Sequence, residues 1–111
     1  MKIEENISLR ELTTFRIGGP ARYFVRLEKQ EDLPEIVKFA KEKNLKIFVL
    51  GGGSNILVSD QGFDGLVIHP TMTGIEKVSE DDKRVVLKFG AGENWDEAVA
   101  YSVDQGWWGI E

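Results

Sequence analysis

The sequence predicts an α+β fold with an α/β beginning, on three observations. A segment of helical periodicity stands between two strand-like runs, and a glycine triplet follows the second of them. Further along, two more strand-like runs flank an acidic turn, the pattern of an antiparallel hairpin. The predicted order is strand, helix, strand, glycine loop, then antiparallel structure, and that change suggests a second subdomain. The expected organisation is residues 1–70 as a first β-α-β subdomain and 71–111 as the start of a second.

Residues 1–12 scatter Ile3, Ile7, Leu9 and Leu12 among charges and read as an arm lying on the body. Residues 13–17 prefer extended backbone, and Gly18-Gly19-Pro20 breaks them with a tight turn. Residues 21–27, with Tyr23, Phe24 and Val25, form a strand. In residues 31–44, Leu33, Ile36, Val37 and Ala40 recur at the spacing of one buried helical face. Acidic Glu31, Asp32 and Glu35 open that helix, Lys41 and Lys43 close it, and Asn44 can end it, in agreement with the helix dipole. Residues 46–50 hold four consecutive apolar positions, the pattern of a strand buried on both faces of a parallel sheet.

Gly51-Gly52-Gly53-Ser54-Asn55 follows directly. Glycine tolerates positive φ and lets a ligand approach the main chain closely, so consecutive glycines can build a concave nest of N–H groups for an anion. Ser54 and Asn55 add side-chain donors. The loop sits at the carboxyl end of a strand, where open α/β sheets bind ligands, and a nucleotide or dinucleotide phosphate suits it. A P-loop is excluded, because no lysine and hydroxyl follow the last glycine. A Rossmann fingerprint is excluded as well, because its third glycine would fall at Ile56. A plain turn between two strands is the competing reading.

After this loop, residues 65–68 are strand-like, and His69-Pro70 closes them, with His69 read as an exposed loop residue. Residues 75–78 and 84–89 flank the acidic turn and form the hairpin. Gly90-Ala91-Gly92 leads to a second helix, capped by Asn94 with Glu97 three residues on. Its expected core face carries Trp95, Ala98, Val99, Ser102 and Val103, and Gly106 suits its left-handed end. The apolar cluster Trp107, Trp108 and Ile110 either packs back or offers a surface for self-association.

Composition narrows the function. The 111 residues amount to one domain or part of one, with 41% hydrophobic content. The balance of 14 basic against 19 acidic residues, net −5, does not favour a nucleic-acid partner. Cysteine is absent and His69 is the single histidine, which argues against a metal site or a thiol nucleophile. No apolar run reaches the length of a membrane helix, so a cytoplasmic location is expected. Arg16 and Arg22 can assist an anionic ligand or simply solubilise the surface.

Taken in order, Thr13-Thr14-Phe15-Arg16-Ile17-Gly18-Gly19-Pro20-Ala21, Leu50-Gly51-Gly52-Gly53-Ser54-Asn55-Ile56-Leu57-Val58, Gly90-Ala91-Gly92-Glu93-Asn94-Trp95 and Gly106-Trp107-Trp108-Gly109-Ile110-Glu111 closely resemble the N-terminal part of the UDP-N-acetylenolpyruvoylglucosamine reductases. The resemblance covers essentially the whole chain. It implies the FAD-binding fold of the p-cresol methylhydroxylase and vanillyl-alcohol oxidase type. It assigns Gly51, Gly52, Gly53, Ser54, Asn55 and Ile56 to the FAD pyrophosphate, and places Thr14, Phe15, Gly19, Ala91 and Gly92 near the cofactor. In that family NADPH reduces the flavin, which passes a hydride to an enolpyruvyl group on a UDP-sugar in peptidoglycan synthesis. The family's catalytic serine, glutamate and arginine map to none of these residues, so this polypeptide alone is expected to be inactive. The alternatives are the FAD-binding half of another flavin oxidase or dehydrogenase, and a folded module with no enzymatic role.

Overall fold

The computed structural model describes residues 1–13, 16, 18–52 and 58–110. They fall into two units, Met1–Pro70 and Thr71–Glu111. In the first unit, β1 (Ile3–Ser8) runs antiparallel to β2 (Pro20–Leu27). After a 3-10 turn at Gln30–Asp32, α1 (Leu33–Glu42) crosses to β3 (Ile47–Val49), and β4 (Phe63–Pro70) lies parallel to both β2 and β3. The resulting sheet has the order β1-β2-β4-β3. Residues 3–8 are thus a strand with a partner of their own, more than the loose arm that the scattered apolar positions suggest.

The pleat of β2 sorts its side chains onto two faces. Tyr23 and Val25 stand opposite Leu66 and Ile68 in register, and the Tyr23 ring meets Phe39 of α1 edge-on at 5.2 Å, so α1 covers this face. Ile36 and Ala40 are the buried positions of α1, and Asn44 just beyond it takes a left-handed φ of 54°, the expected stop. On the other face Phe24 and Val67 pack with Leu9, Ala21 and Leu50, flanked by Ile7, Leu12, Val58 and Phe63. Phe24, Ile36, Leu66, Val25 and Val67 are the largest fully buried side chains, each contributing roughly 1.5–3 kcal/mol of transfer free energy.

Strand β3 departs from expectation. Its four-residue apolar run reads as doubly buried, yet Ile47, Phe48 and Val49 are all exposed. The reason is position: among the described residues β3 is the edge of the sheet, with a neighbour only on the β4 side. Leu50, one residue further, is buried.

In the second unit β5 (Ile75–Glu80) and β6 (Val85–Phe89) form the predicted antiparallel hairpin. Asp81 Oδ1 accepts from the Lys83 and Arg84 N–H groups at 2.8 and 2.9 Å, which explains why an acidic residue opens this turn. Helix α2 (Trp95–Asp104) is capped as read from sequence, with Asn94 Oδ1 accepting from Glu97 N–H at 3.0 Å. Gly106 carries the helix end at φ 79°. Ala98 and Ser102 are the buried positions of α2, whereas Trp95 and Val103 are exposed, against their expected core placement. Helical spacing identifies which residues share a face but not whether another element covers it.

Trp107 packs back. Its N–H donates to the Ser102 carbonyl at 2.9 Å, its ring meets Tyr101 at 6.0 Å, and Lys77 Nζ lies 5.9 Å from it. Trp108 stays 88% exposed. Among the described residues no helix is long and apolar enough to cross a membrane.

Candidate functional site

The candidate site lies at the carboxyl end of β3, where the chain leaves the sheet through Gly51 and Gly52. Both glycines are exposed, and a Cβ built on either meets nothing of the described residues within 4 Å. Among the described residues neither Gly51 N–H nor Gly52 N–H has a backbone partner. Neither takes a positive φ, so their value here is the room they leave for a ligand and not a left-handed turn.

A hollow of about 400 Å³ opens there, lined by Glu11, Leu12, Thr13, Arg16, Gly51, Gly52 and His69. Arg16 is part of this lining. Its backbone sits at φ 53°, an uncommon conformation for a residue with a side chain. Two hydrogen bonds hold it there: Arg16 N–H to the Thr13 carbonyl at 3.2 Å, and Arg10 Nε to the Arg16 carbonyl at 3.4 Å. Thr13, itself buried, returns its hydroxyl to the Arg10 carbonyl at 3.4 Å. Glu11 is the one opposing charge in the lining.

His69 is a site residue that sequence reasoning passed over. It lies within β4, half-buried, with Nδ1 2.9 Å from the Leu50 carbonyl oxygen, and not in an exposed loop. The dipeptide His69-Pro70 at the end of a strand was the available signal, since proline removes a ladder donor. On the same sheet face, a second hollow of about 250 Å³ is lined by apolar Leu9, Phe48, Leu50, Val58, Phe63 and Val67, with Ser59 and Gly62.

Gly19 serves this region as a packing residue. Its N–H donates to the Ser59 carbonyl at 2.8 Å, and a Cβ on it would overlap the Asp60 carbonyl, so the loop before β2 presses directly on the loop before β4. Ala91 and Gly92 belong to the second unit, where Ala91 is exposed and Gly92 N–H donates to the Met72 carbonyl at 2.7 Å. Thr14, Phe15, Gly53, Ser54, Asn55 and Ile56 lie outside the described residues.

An extended dianionic group such as a dinucleotide diphosphate fits what is present: open space above two glycines, backbone donors with no backbone partner among the described residues, and an arginine in the lining.

Comparison with known proteins agrees with this chemistry. The profile of the FAD binding domain matches residues 21–111. The chain is 43% identical to a UDP-N-acetylenolpyruvoylglucosamine reductase from Amoebophilus asiaticus, over 100% of this chain and 32% of the relative. It is 44% identical to the reductase of that name from Saccharopolyspora erythraea, over 94% of this chain and 28% of the relative. The crystal structure of the UDP-N-acetylenolpyruvylglucosamine reductase from Thermus caldophilus superposes with a TM-score of 0.63 at 32% identity, over 99% of this chain and 36% of that one. The chain thus spans about a third of the length of the curated relatives it matches. The p-cresol methylhydroxylase type of α+β fold follows from that structural match, and FAD is the cofactor of such a domain. With the profile matched over most of its residues, the chain belongs to the FAD binding domain family.

Proposed function

We propose that this chain is the FAD-holding portion of a UDP-N-acetylenolpyruvoylglucosamine reductase. Such an enzyme uses NADPH to reduce the enolpyruvyl group on UDP-N-acetylglucosamine to UDP-N-acetylmuramate, a cytoplasmic step of peptidoglycan synthesis. The observation that carries the reading is the pair Gly51 and Gly52, open to a ligand beside Arg16 at the carboxyl end of a parallel strand.

In this reading Gly51, Gly52 and Gly53 turn backbone donors toward the FAD diphosphate, Ser54 and Asn55 add side-chain donors, and Ile56 continues the loop. Thr14, Phe15, Gly19, Ala91 and Gly92 border the cofactor. Arg16 supplies the compensating charge. Residues 1–70 are the first subdomain of the FAD-binding fold and 71–111 the start of the second. Bound FAD supplies the hydride-carrying chemistry, and this chain's residues hold and orient it. No catalytic residue is assigned to the chain, and the UDP-sugar site lies in the remainder of the reductase. Any self-association runs through exposed Trp108; a sedimentation profile unchanged with concentration would remove that element.

The test is a titration of the purified chain with FAD, read by flavin fluorescence, beside Gly52→Val. A Cβ at position 52 meets no atom of the described residues within 4 Å, so the substitution is directed at the ligand's space, and the thermal midpoint of the variant checks that it folds. Saturable binding that is lost in the variant supports the reading. Equal binding by both proteins refutes the assignment of the glycine loop, and absence of NADPH-dependent turnover is the expected behaviour of the isolated chain.

A further inference from the structure

The ladder between β3 and β4 ends one backbone bond early, and a side chain completes it. Along β4 the even-numbered residues turn their backbone polar groups toward β3. Leu66 N–H donates to the Lys46 carbonyl at 2.9 Å, and the Ile68 carbonyl accepts from Leu50 N–H at 2.9 Å. The register pairs Ile47 with Leu66 and Val49 with Ile68. Carried one step on, it pairs Leu50 with His69, and the next bond of a parallel ladder runs from the N–H of residue 70 to the Leu50 carbonyl. Residue 70 is proline and has no N–H. His69 Nδ1 stands 2.9 Å from that carbonyl in its place. A carbonyl oxygen can only accept, so Nδ1 carries the hydrogen.

The Leu50 carbonyl and the Gly51 N–H belong to one planar peptide unit and point in opposite directions. Whatever holds the carbonyl therefore aims the N–H. Gly51 has no side chain, and among the described residues nothing packs within 4 Å of where one would be, so no side-chain contact of its own helps to set that plane. The imidazole is itself held, stacked on Phe24 with ring centroids 6.1 Å apart, and Phe24 is 2% exposed.

We propose that His69 is a positioning residue for the diphosphate loop: it substitutes for the missing Pro70 N–H, locks the Leu50–Gly51 peptide plane, and so presents the Gly51 N–H to the bound diphosphate. The inference rests on the FAD reading above. It also accounts for a histidine immediately before a proline at the end of a strand that borders the glycine loop.

The experiment compares the full chain with His69→Phe, which keeps a ring against Phe24 but removes the donor, and with the double variant His69→Phe/Pro70→Ala, which restores a backbone N–H at residue 70. FAD and riboflavin, which lacks both phosphates, are titrated into each, and thermal unfolding is recorded. Loss of one hydrogen bond's worth of alignment predicts FAD binding roughly five- to tenfold weaker in His69→Phe. Riboflavin binding is unchanged, and the double variant regains most of the FAD affinity. Wild-type affinity for FAD in His69→Phe overturns the inference, as does a loss that the double variant does not recover. A drop shared equally by FAD and riboflavin also overturns it, because lower stability weakens both alike and leaves their ratio fixed. If the wild-type chain itself binds no FAD, the reading beneath the inference fails, an outcome distinct from the others.

Discussion

Gly19 and Ser59 are joined by a 2.8 Å hydrogen bond from the Gly19 N–H to the Ser59 carbonyl. The contact clamps the loop before β2 onto the loop before β4 at a distance no side chain permits. A Cβ at Gly18 would stand 2.6 Å from the Val58 Cβ, and one at Gly19 would overlap the Asp60 backbone. Gly19→Ala must push two backbones apart, and overpacking of this kind costs about 1–3 kcal/mol. Urea unfolding should show that loss. Gly52→Ala, facing open space, should stay within about 0.5 kcal/mol of wild type. Equal stability of all three proteins would show that the two loops are not in contact.

Arg16 makes the second prediction, which depends on the proposed diphosphate site. Arg16 is exposed, so the attraction of its charge for a diphosphate is screened by salt. Arg16→Ala should weaken FAD binding by roughly three- to tenfold at low ionic strength, the scale of a charge-assisted hydrogen bond discounted for exposure. The gap between the two proteins should narrow as the Debye length falls from about 10 Å at 0.1 M salt to about 3 Å at 1 M. A difference independent of salt would mean that the arginine acts through the turn it anchors, and not through its charge.

What was legible in the sequence was local. The Ile36 and Ala40 positions of α1, the Asp81 turn and the Asn94 cap each rest on residues within a few positions of one another and are present as read, whereas Leu33, placed on the same buried face, is exposed at the helix start. The exposure of Ile47, Phe48 and Val49 was not legible, because an apolar run carries no record of whether its strand has one neighbour or two. Trp95 misleads for a similar reason, since periodicity does not reveal what lies across from a face. In the candidate site the glycine loop was visible as composition. His69 was not, because its partner Leu50 is 19 positions away and only the strand register brings them together. Arg16 was visible, but the sequence held no sign that it lines the same hollow as Gly51 and Gly52, which lie 35 and 36 positions away.

The third prediction concerns α2. Asn94 Oδ1 satisfies the Glu97 N–H, one of the donors that a helix start leaves without an intrahelical partner. Asn94→Ala should cost about 1 kcal/mol and lower the thermal midpoint by several degrees. Asn94→Asp keeps the acceptor and adds a charge favourable to the helix N-terminus, so it should match or exceed wild type. Asn94→Ala unfolding at the wild-type midpoint would show that the cap is energetically idle.

The last prediction follows from Lys77 and Glu80, whose Nζ and Oε1 lie 2.9 Å apart. The hydrogen bond from Lys77, then its charge, holds the Glu80 carboxyl below its ordinary value of 4.5, and a hydrogen bond from Trp107 acts in the same direction. The hydrogen bond to Glu80, then its charge, raises Lys77 above 10.5. For the carboxyl, the folded form binds its proton more weakly than the unfolded chain. Its contribution is therefore present above 4.5 and is lost as pH falls through the depressed folded value. For the ammonium the sense is reversed: the contribution is complete below 10.5 and is lost as pH rises through the elevated folded value. Wild type should accordingly exceed Glu80→Gln in thermal midpoint by a small margin at neutral pH, since both groups face solvent and exposed pairs contribute little. That margin should shrink in acid below 4.5 and in base above 10.5, and should fall with added salt. A margin that widens as the pH drops would mean that Glu80 is not held ionised by Lys77 and Trp107, and the contact drawing Trp107 back onto the hairpin would have to rest on its ring alone.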